Sequence, residues 1–460
     1  MPYSTTKGLS DVKERTYSRY LKDKKTIERF SEWGRVLASM SSPEGKPEAL
    51  DDILVLELSY ANFAGIISST FLAEFGAKVI KIEPREGDPA RMMTPFGTNV
   101  NGTGIPFLME ARNKRYITLD LESEDDRQDF AKLAARADVL IETFAPGELD
   151  SLGVGYQQLI EINPRLVYVA ISPYGHYTDK AKQLARIPWS ELTSQAESGL
   201  CSIIGDLLDE PEPYSWPTRA GFYAAAYVTA TAATLGSLVA LFYRRLSGEG
   251  QMVDVASADA FASCVGIPTT MGYIWKRPRM RYGTLDYGLC PYGFFKCKDA
   301  YVAIACFRDQ DFRAALKVLG RWDLEEEWRS LLDRITDNVD KAKELNSEIE
   351  HAVAKFTFAE ISKRFEAYSA KAARSNWRGG GLPVTARMMT PKEVLEEEHW
   401  KARRAFVEVE DTALGKFLIP CAGKMSETPP RIKWVSCGFG QDDAVVREEY
   451  GLAKKAPTPT

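Results

Sequence analysis

The chain has 460 residues, which is too long for one ordinary hydrophobic core and predicts two or three domains. Its net charge of -5, with acidic and basic residues mixed along the chain, excludes the concentrated basic face that a nucleic-acid-binding protein needs. Seven scattered cysteines, with no C-x-x-C pair, favour free thiols in a reducing cytoplasm over disulfides or a metal site.

Residues 1–50 are predicted to form a helical N-terminal extension. Apolar residues recur at roughly helical spacing from Tyr17 to Leu37, and "SSPEGKPEALDD" then has the composition of a linker. The segment has no apolar stretch of the kind that a secretory signal needs, so we expect no export signal. We expect this extension to pack on its own chain or on a partner rather than to take part in chemistry.

From residue 51 to residue 265, short β-branched runs alternate with helical stretches. The predicted strands include "ILVLELS", "KVIKIE", "YITLDL", "DVLIETF" and "LVYVAIS", and the predicted helices include "GIISSTFLAEFGA" and "DRQDFAKLAARA". This alternation predicts an α/β, Rossmann-like domain with a mainly parallel sheet, whose ligands bind at the carboxyl ends of the strands. The turn "SYANFAGI" lacks G-x-G-x-x-G, which argues against a dinucleotide, and no Walker motif occurs.

The stretch from Gly221 to Tyr243 has 23 residues without a charge and is long enough to cross a bilayer. It is rich in Ala, Thr, Gly and Ser rather than Leu, Ile and Phe, which makes transfer into lipid only weakly favourable. We therefore predict a helix buried on all sides within the protein and no association with a membrane.

Residues 266–400 are predicted to form a smaller inserted α+β domain with its linkers. Two apolar runs at the end of "YGTLDYGLCPYGFFKCKDAYVAIAC" are typical of a hairpin, and charged helical segments such as "LNSEIEHAVAKF" follow. Residues 401–460 are predicted to return, as strands, to the large sheet. The large domain would thus be built from both ends of the chain.

Five motifs occur in a specific order and spacing: "VLELSYANFAGIISSTFLAEFGAKVIKIEPREGDPAR", "NKRYITLDL", "ADVLIETFAPGELDSLGVGYQQLIEINPRLVYVAIS", "QAESGL" and "GEGQMVDVASADA". Together they resemble the class III CoA-transferases, the CaiB/BaiF family, from about Asp52 to Leu452. The resemblance implies transfer of CoA to an organic acid, with the CoA thioester as a substrate and no permanently bound cofactor. It also implies a dimer in which two chains interlock like linked rings.

The resemblance further implies a CoA site at the strand ends. Leu119 and Phe144 match positions that line the CoA moiety. Positive charge for the phosphates would come from Arg91, Lys114 and Arg115, although a solvated basic turn explains any one of them equally well.

Other matched positions depart from the family pattern. Pro84 and Ser151 stand where Arg occurs in the family, Thr143 where Asn is usual, and Glu122 where Lys occurs. Since each charge-assisted hydrogen bond contributes roughly 1.5–3 kcal/mol, loss of several cations weakens phosphate binding.

The chemistry of the family needs a carboxylate nucleophile. An Asp four residues before the Gly that opens the long helix attacks the thioester to give a mixed anhydride, and the CoA thiolate returns to form an aspartyl-CoA thioester. Here the helix-opening residue is Gly221, and Pro217 stands four residues before it. The loop carboxylates Asp206, Asp209, Glu210 and Glu212 would have to fold back into the site, where catalysis tolerates a misplacement of only about 1 Å.

Glu191 matches an acidic position near the active site of the family. It is a candidate acid, substrate-orienting group or replacement nucleophile, but a carboxylate that starts a helix is also favoured by the positive helix end. The related racemases use a His where this chain has Ser190 and the Asp that Pro217 replaces, so racemase chemistry is disfavoured. His176 follows a strand end and could face the site, although a lone loop His is more often a surface residue.

Two functions remain open on the sequence. The favoured one is a non-catalytic subunit that pairs with a catalytic paralogue, as in two-subunit members of the family such as succinyl-CoA:(R)-benzylsuccinate CoA-transferase. The alternative is an active CoA-transferase that uses another carboxylate such as Glu191. An interlocked homodimer is the alternative to pairing with a paralogue. Trp189 and the aromatic residues of "LDYGLCPYGFF" suit an aromatic or bulky acid, but core packing explains them equally well.

Overall fold

The computed structural model describes residues 42–206, 217–276, 281–286, 288–334, 339–374, 384–411, 415–421, 423–436 and 438–453. These residues form two compact units. The larger unit contains the described residues of 42–203, 217–276 and 398–453, and the smaller unit contains those of 204–206 and 281–397. Most of the predicted N-terminal extension, residues 1–41, lies outside the described residues.

Six parallel strands form the central sheet of the larger unit, in the order β5-β2-β1-β6-β7-β8. The strands of this unit up to residue 256 are β1 (Leu54–Leu58), β2 (Lys78–Glu83), the short hairpin β3 (Asn99–Val100) and β4 (Thr103–Gly104), β5 (Lys114–Thr118), β6 (Val139–Glu142), β7 (Val167–Ser172) and β8 (Gln251–Ala256). All residues of β1, β6 and β7 are buried, as expected for parallel strands covered on both faces. The predicted α/β class with a mainly parallel sheet is confirmed.

Helices cover both faces of this sheet. In the same part of the chain they are α1 (Phe63–Glu74), α2 (Ile105–Glu110), α3 (Glu124–Ala134), α4 (Glu148–Ser151), α5 (Tyr156–Ile162), α6 (Asp179–Gln183), α7 (Glu191–Glu197), α8 (Ala224–Ser247), α9 (Ser257–Val265) and α10 (Ile267–Trp275). Val55 of β1 packs in the core with α1 and α8, whereas Leu56 packs in the core that contains Phe130 of α3 and Leu159 of α5. The alternation of side chains along β1 therefore supplies both cores.

The long apolar helix α8 is buried on one face, which corrects the prediction that it is buried on all sides. Its small residues, such as Ala226, Ala230 and Ala233, pack in the core shared with α1. Phe242 and Leu246 on other faces are 66% and 74% exposed. Small and large apolar residues thus follow different faces of the helix. Among the described residues, α8 is the one helix long and apolar enough to cross a membrane by length and composition, and 44% of its most apolar window is buried.

The smaller unit has an antiparallel sheet with helices, which confirms the predicted α+β class. Its strands are β9 (Tyr292–Lys296), β10 (Tyr301–Ala305) and β11 (Val384–Arg387), in the order β11-β10-β9. Its helices are α11 (Asp309–Leu319), α12 (Leu331–Arg334), α13 (Val339–Val353), α14 (Phe358–Arg374) and α15 (Pro391–Glu396). The predicted hairpin of apolar runs corresponds to β9 and β10.

The last part of the chain returns to the larger unit, but its strands do not join the six-stranded sheet as predicted. It contains α16 (Glu398–Ala402), an antiparallel hairpin of β12 (Phe406–Asp411) and β13 (Gly415–Pro420), and α17 (Asp443–Tyr450). The two strands pair with each other instead. The link to the sheet is made by side chains and loops, since the Tyr116 N–H of β5 donates to Asp442 Oδ2 at 2.8 Å.

Candidate active site at the carboxyl edge of the sheet

The strand order reverses between β1 and β6, which predicts a crevice at the carboxyl ends of these two strands. The chain proceeds outward from β1 to β2 and β5 on one side and then returns to β6 on the other side of β1. Ligands of open α/β sheets bind at this kind of switch point. The loops that follow the two strands meet there, because the Tyr60 N–H donates to Thr143 Oγ1 at 3.0 Å. Thr143 and its neighbour Phe144, both at predicted positions of the CoA site, therefore lie at the switch point.

A glycine allows α1 to begin close to this crevice. A Cβ atom on Gly65 would lie 2.2 Å from Ser59 Oγ and 2.6 Å from Thr143 Cγ2. Both distances are far shorter than van der Waals contact, so any side chain at this position would displace the ends of β1 and β6. The first turn of α1 can therefore approach the switch point because position 65 has no side chain.

Beneath the crevice lies a cluster of buried charges. Lys81 Nζ lies 3.0 Å from Glu57 Oε1 and 2.8 Å from Asp88 Oδ2, and it donates to the Ser59 carbonyl at 2.9 Å. Lys114 Nζ lies 2.6 Å from Glu57 Oε2. The side chains of Glu57, Lys81, Asp88 and Lys114 are fully or almost fully buried. This arrangement places Lys114, predicted as a phosphate ligand, in the interior with its ammonium group already paired.

Burial acts on each of these groups, and the neighbouring charges oppose it. Burial by itself lowers the pKa of Lys81, but Asp88 and Glu57 outweigh this and the pKa is raised above its ordinary value. Burial lowers the pKa of Lys114 to about 8, even though Glu57 acts in the opposite direction. Both lysines remain largely protonated at neutral pH, and the cluster balances its charges without a ligand.

Arg91, the second predicted cation, is also part of the interior. Its guanidinium makes two hydrogen bonds to Glu83, from Nε to Oε1 at 2.9 Å and from Nη2 to Oε2 at 2.8 Å. The same group lies over the rings of Phe107 and Tyr116, at 4.4 and 4.9 Å from their centroids. With 7% of its surface exposed, Arg91 holds the segment after β2 against the sheet and does not present its charge to solvent.

Arg115 differs from these two because its side chain reaches the surface. Its Nη1 lies 2.5 Å from Glu449 Oε2 of α17, and the two side chains are 45% and 44% exposed. A phosphate could therefore compete with Glu449 for this guanidinium. Of the three predicted cations, Arg115 is the one that solvent can reach with ease.

The two predicted apolar positions of the CoA site follow β5 and β6. Leu119 is buried in a core cluster, and Phe144 is partly buried against the same cluster. The strands β5 and β6 are three strand spacings apart in the sheet, or roughly 14 Å. A ligand that touches both residues must therefore be extended and lie across the edge of the sheet.

The residues that replace family cations make this edge less positive. Pro84 follows β2 and Ser151 ends α4, and neither carries a charge, while Glu122 is exposed. Arg85 is exposed next to Pro84, but its Nε lies 3.6 Å from Asp120 Oδ2. Of the positions where the family resemblance implies a cation, two are therefore uncharged and one, Glu122, is acidic.

Glu191 binds the start of the long helix α8. Its Oε1 accepts hydrogen bonds from the Ala225 N–H and from Gln195 Nε2, both at 2.7 Å, and its Oε2 accepts from the Ala226 N–H at 2.9 Å. Gln195 in turn accepts from the Ala220 N–H at 2.8 Å. Both carboxylate oxygens therefore satisfy backbone groups that the helix itself leaves unpaired.

Pro217 lies in the segment that leads into α8 and is exposed. It has no group that can attack a thioester. Asp206 is also exposed, and the other loop carboxylates considered from the sequence, at 209, 210 and 212, lie outside the described residues.

His176 is held between two carboxylates, one on β6 and one on β8, the strands on either side of β7. Its Nδ1 lies 2.7 Å from Asp254 Oδ1 of β8, and its Nε2 lies 3.7 Å from Glu142 Oε1 of β6. Burial raises the pKa of Glu142 to about 7, although His176 and the Phe144 N–H oppose this. A cavity of about 190 Å³ adjoins the group, and its lining includes Glu142, Ala145, Gly147, Asp150, Tyr156 and His176.

Sequence reasoning treated His176 as a lone loop residue and did not identify Glu142 or Asp254. The available signal was that Glu142 stands near the end of the predicted strand "DVLIETF" and that Asp254 stands in the apolar part of the motif "GEGQMVDVASADA". To use this signal one must know that β6 and β8 both pair with β7, which the sequence does not state. Within the ranges that the structure describes, no group of His, Cys, Asp and Glu is arranged to hold a metal ion.

The fold agrees with comparisons against known proteins. A family model described as CoA-transferase family III matches residues 50–443. The chain belongs to CoA-transferase family III. Members of this family are enzymes that use CoA thioesters as substrates and transfer CoA between an acyl-CoA and an acid.

Relatives of this chain include proteins that are named as subunits. The succinyl-CoA--L-malate CoA-transferase beta subunit of Chloroflexus aurantiacus is 30% identical, over 84% of this chain and 90% of that protein. The succinyl-CoA:(R)-benzylsuccinate CoA-transferase subunit BbsE of Thauera aromatica is 37% identical, over 43% of this chain and 46% of that protein. The crystal structure of a CAIB/BAIF family protein from Brucella suis is 25% identical, covers 88% of this chain and 100% of that one, and superimposes with a TM-score of 0.70.

Proposed function

We propose that this chain is a subunit of a class III CoA-transferase that lacks its own nucleophile and works beside a catalytic paralogue. The observation that carries the proposal is Pro217, which stands four residues before Gly221, where the family resemblance implies the nucleophilic Asp. A proline side chain has neither a lone pair nor a proton to offer, so the covalent step must be performed by another residue.

The contacts of Glu191 support the proposal, because they give this carboxylate a different role. A nucleophilic carboxylate needs an oxygen that is free to approach the thioester carbon. Oε1 and Oε2 of Glu191 together accept three hydrogen bonds from α8 and Gln195. Moving either oxygen toward a substrate would leave backbone N–H groups of α8 without a partner, at a cost of about 1–3 kcal/mol for each buried donor.

The pairing of the three predicted cations also supports a subunit that does not itself bind the phosphates of CoA strongly. Lys114 and Arg91 are buried and paired with Glu57 and Glu83. The remaining predicted cation, Arg115, is itself paired with Glu449. We infer that the principal CoA site of the assembled enzyme lies on the paralogue, with the switch-point crevice of this chain contributing weaker contacts.

The names of the relatives suggest the substrates. One relative is named for succinyl-CoA and L-malate, and another for succinyl-CoA and (R)-benzylsuccinate. We propose succinyl-CoA as the CoA donor and an aromatic acid of the benzylsuccinate type as the acceptor.

The exposed face of α8 supports a partner chain. Large apolar side chains on α8 and α10, including Leu246, Phe242 and Tyr273, are between 66% and 76% exposed. Apolar surface of this kind is typical of subunit interfaces. We propose that a paralogous subunit covers it, in the interlocked arrangement that the family resemblance implies, and a homodimer is the alternative outcome.

The proposal is tested by assaying CoA transfer from succinyl-CoA to benzylsuccinate with the purified chain alone and after co-expression with a paralogue that has the Asp. We expect no transfer by the chain alone, transfer by the complex, and a loss of at least about 100-fold when the paralogue's Asp is changed to Ala. Hydroxylamine, which traps acyl and thioester adducts of carboxylates, should label the paralogue and leave this chain unlabelled.

A matched pair of variants separates the proposal from its alternative. Glu191→Gln removes the candidate nucleophile, and Glu197→Gln changes an exposed carboxylate on the same helix α7 that pairs with Lys180 at 2.6 Å. If the chain alone transfers CoA, and Glu191→Gln abolishes this activity while Glu197→Gln preserves it, the non-catalytic assignment is overturned in favour of Glu191 as the nucleophile.

A further inference from the structure

His176 lies in the loop after β7, between the two strands that flank β7. Glu142 of β6 and Asp254 of β8 lie on the same rung of the sheet, because each is in register with Ala170 of β7. The two acidic residues are thus two strand spacings apart, or about 10 Å. The chain leaves β7 at Ser172 and places the imidazole of His176 between them.

Asp254 binds both the backbone and the imidazole ring of His176. Asp254 Oδ2 accepts the His176 N–H at 3.1 Å, and Asp254 Oδ1 lies 2.7 Å from the ring Nδ1. Within the loop, Ser172 Oγ donates to the Gly175 carbonyl at 3.0 Å. Asp254 therefore ties residues 173–178, the loop between β7 and α6, to β8.

The other ring nitrogen of His176, Nε2, has no such hydrogen bond. His176 Nε2 is buried without a hydrogen-bond partner and faces Glu142 Oε1 at 3.7 Å. Glu142 Oε2 is already engaged by the Phe144 N–H at 2.7 Å. A proton on Nε2 gives an attraction between imidazolium and carboxylate across this gap, whereas a lone pair on Nε2 faces the negative charge of Glu142.

The charged groups that face the ring come from three elements and are all acidic. They are Glu142 of β6, Asp254 of β8 and, at longer range, Asp150 of α4, while the phenol of Tyr168 on β7 contacts Glu142. Burial by itself lowers the pKa of His176, but the hydrogen bond with Asp254 and the charge of Glu142 outweigh it, so the pKa is raised. The surrounding carboxylates therefore favour the protonated ring more than solvent does for an exposed histidine.

We propose that His176 is a proton-linked latch that fastens the loop of residues 173–178 to the carboxyl edge of the sheet. With a proton on both ring nitrogens, the imidazolium connects β8 to β6 through Asp254 and Glu142. When the proton leaves Nε2, the connection to Glu142 becomes repulsive and the loop is held from one side.

The latch lies beside a cavity at the same edge of the sheet as the switch-point crevice. His176 and Glu142 contribute to the wall of the cavity of about 190 Å³, together with Ala145 and Gly147 of the loop after β6. Release of the loop would thus alter the shape and the charge of this wall as the pH rises through neutrality.

Hydrogen exchange of the full chain, read by mass spectrometry over residues 173–187, tests the latch without any CoA ligand. We expect exchange in this segment, corrected for its intrinsic pH dependence, to be at least about threefold faster near pH 8.5 than near pH 6. In His176→Gln the amide can still donate to Asp254 but does not titrate, so the acceleration between the two pH values should be clearly smaller than in the native chain. Equal corrected rates in the native chain, or the same acceleration in His176→Gln, would overturn the proposal.

Proton NMR provides a second readout that does not depend on loop motion. The chain has three histidines, and the signal lost in His176→Gln identifies the ring of His176. We expect this ring to titrate above the ordinary value of about 6.5, and its midpoint to fall in Glu142→Gln. A His351→Gln variant, which changes an exposed residue of α13, should leave that midpoint unchanged. If the ring of His176 in the native chain has a pKa at or below the ordinary value, the proposal is wrong. Since neither measurement involves CoA, both are independent of the proposed function.

Discussion

Glu57 and Glu142 are fully buried glutamates on neighbouring strands, yet their pKa values are shifted in opposite directions. Burial by itself raises the pKa of Glu57, but Lys114 and Lys81 outweigh it and the pKa is lowered. Burial raises the pKa of Glu142 to about 7, because the opposing influence of His176 and a backbone N–H is smaller. The cations within reach, rather than burial alone, decide which buried carboxylate stays charged.

This difference divides the carboxyl edge of the sheet into two halves. On the side of β1, β2 and β5, the buried carboxylates of Glu57, Asp88 and Glu83 are paired with lysine or arginine side chains that are largely protonated at neutral pH. On the side of β6, β7 and β8, the neutralising group is a histidine. At neutral pH the first half is therefore held by ion pairs and is called the fixed support, while the second half contains a histidine that can gain or lose a proton.

The largest effect is expected from removing a cation of the fixed half. Lys81→Met leaves Asp88 without its ion-pair partner and leaves Glu57 with Lys114 alone. Breaking a buried pair in this way costs about 3–5 kcal/mol of unfolding free energy, which urea denaturation measures. Lys78→Met, at the exposed start of the same strand, should change stability by less than about 0.5 kcal/mol. Equal stability of the two variants would contradict the fixed support.

A smaller, pH-dependent effect is expected from Glu142. Its folded pKa of about 7 exceeds the ordinary 4.5, so the folded state binds more protons than the unfolded state between these values. The stabilisation is fully present below about pH 4.5 and is lost as the pH rises through about 7. From pH 5 to pH 8, the native chain should lose up to about 3 kcal/mol relative to Glu142→Gln.

The measurement for this prediction is urea unfolding of both chains at the two pH values. Glu161→Gln, which changes an exposed residue of α5, is the matched control and should keep the pH dependence of the native chain. Parallel pH profiles of the native chain and Glu142→Gln would show that Glu142 is not the responsive group.

The smallest effect is expected where a compensating cation is exposed. The pair of Arg115 and Glu449 is solvated on both sides, so Arg115→Gln should lower the unfolding free energy by less than about 1 kcal/mol. Arg447 on the same helix α17 is buried and binds Asp129 at 3.2 Å and the Thr118 carbonyl at 2.9 Å. Arg447→Gln should therefore cost several times more, and a reversed order of the two losses would contradict the role assigned to burial.

Predictions from local pattern were the most reliable. The runs "ILVLELS", "KVIKIE" and "LVYVAIS" contain β1, β2 and β7, because a strand covered on both faces is apolar almost throughout. The position of the long helix was also predicted, but the prediction that all its sides are buried was wrong. Small residues on one face and large ones on another have the same average composition as a uniformly buried helix, so the exposed face of α8 became visible with the structure.

The candidate site was predicted less completely, since the role of a charged residue depends on its neighbours in space. In the sequence, Lys114 and Arg91 resemble residues of a solvated basic turn. In the structure both are buried, because Glu57 of β1 pairs with Lys114 and Glu83 of β2 pairs with Arg91. Glu191 was predicted equally well as a catalytic acid and as a residue at a helix start. It binds the N-terminus of α8, 34 residues away in the chain.

The sequence by itself determined the α/β class, the family and the absence of a carboxylate at Pro217, because all three depend on which residues stand at which positions. The tertiary structure decided which charges are buried, which carboxylate is neutralised by lysine, and which by histidine. These outcomes depend on strand order, since Glu142, Ala170 and Asp254 lie far apart in the chain and share one rung of the sheet. Electrostatic interactions are strong where distances are short and water is excluded, and both conditions arise when the strands assemble.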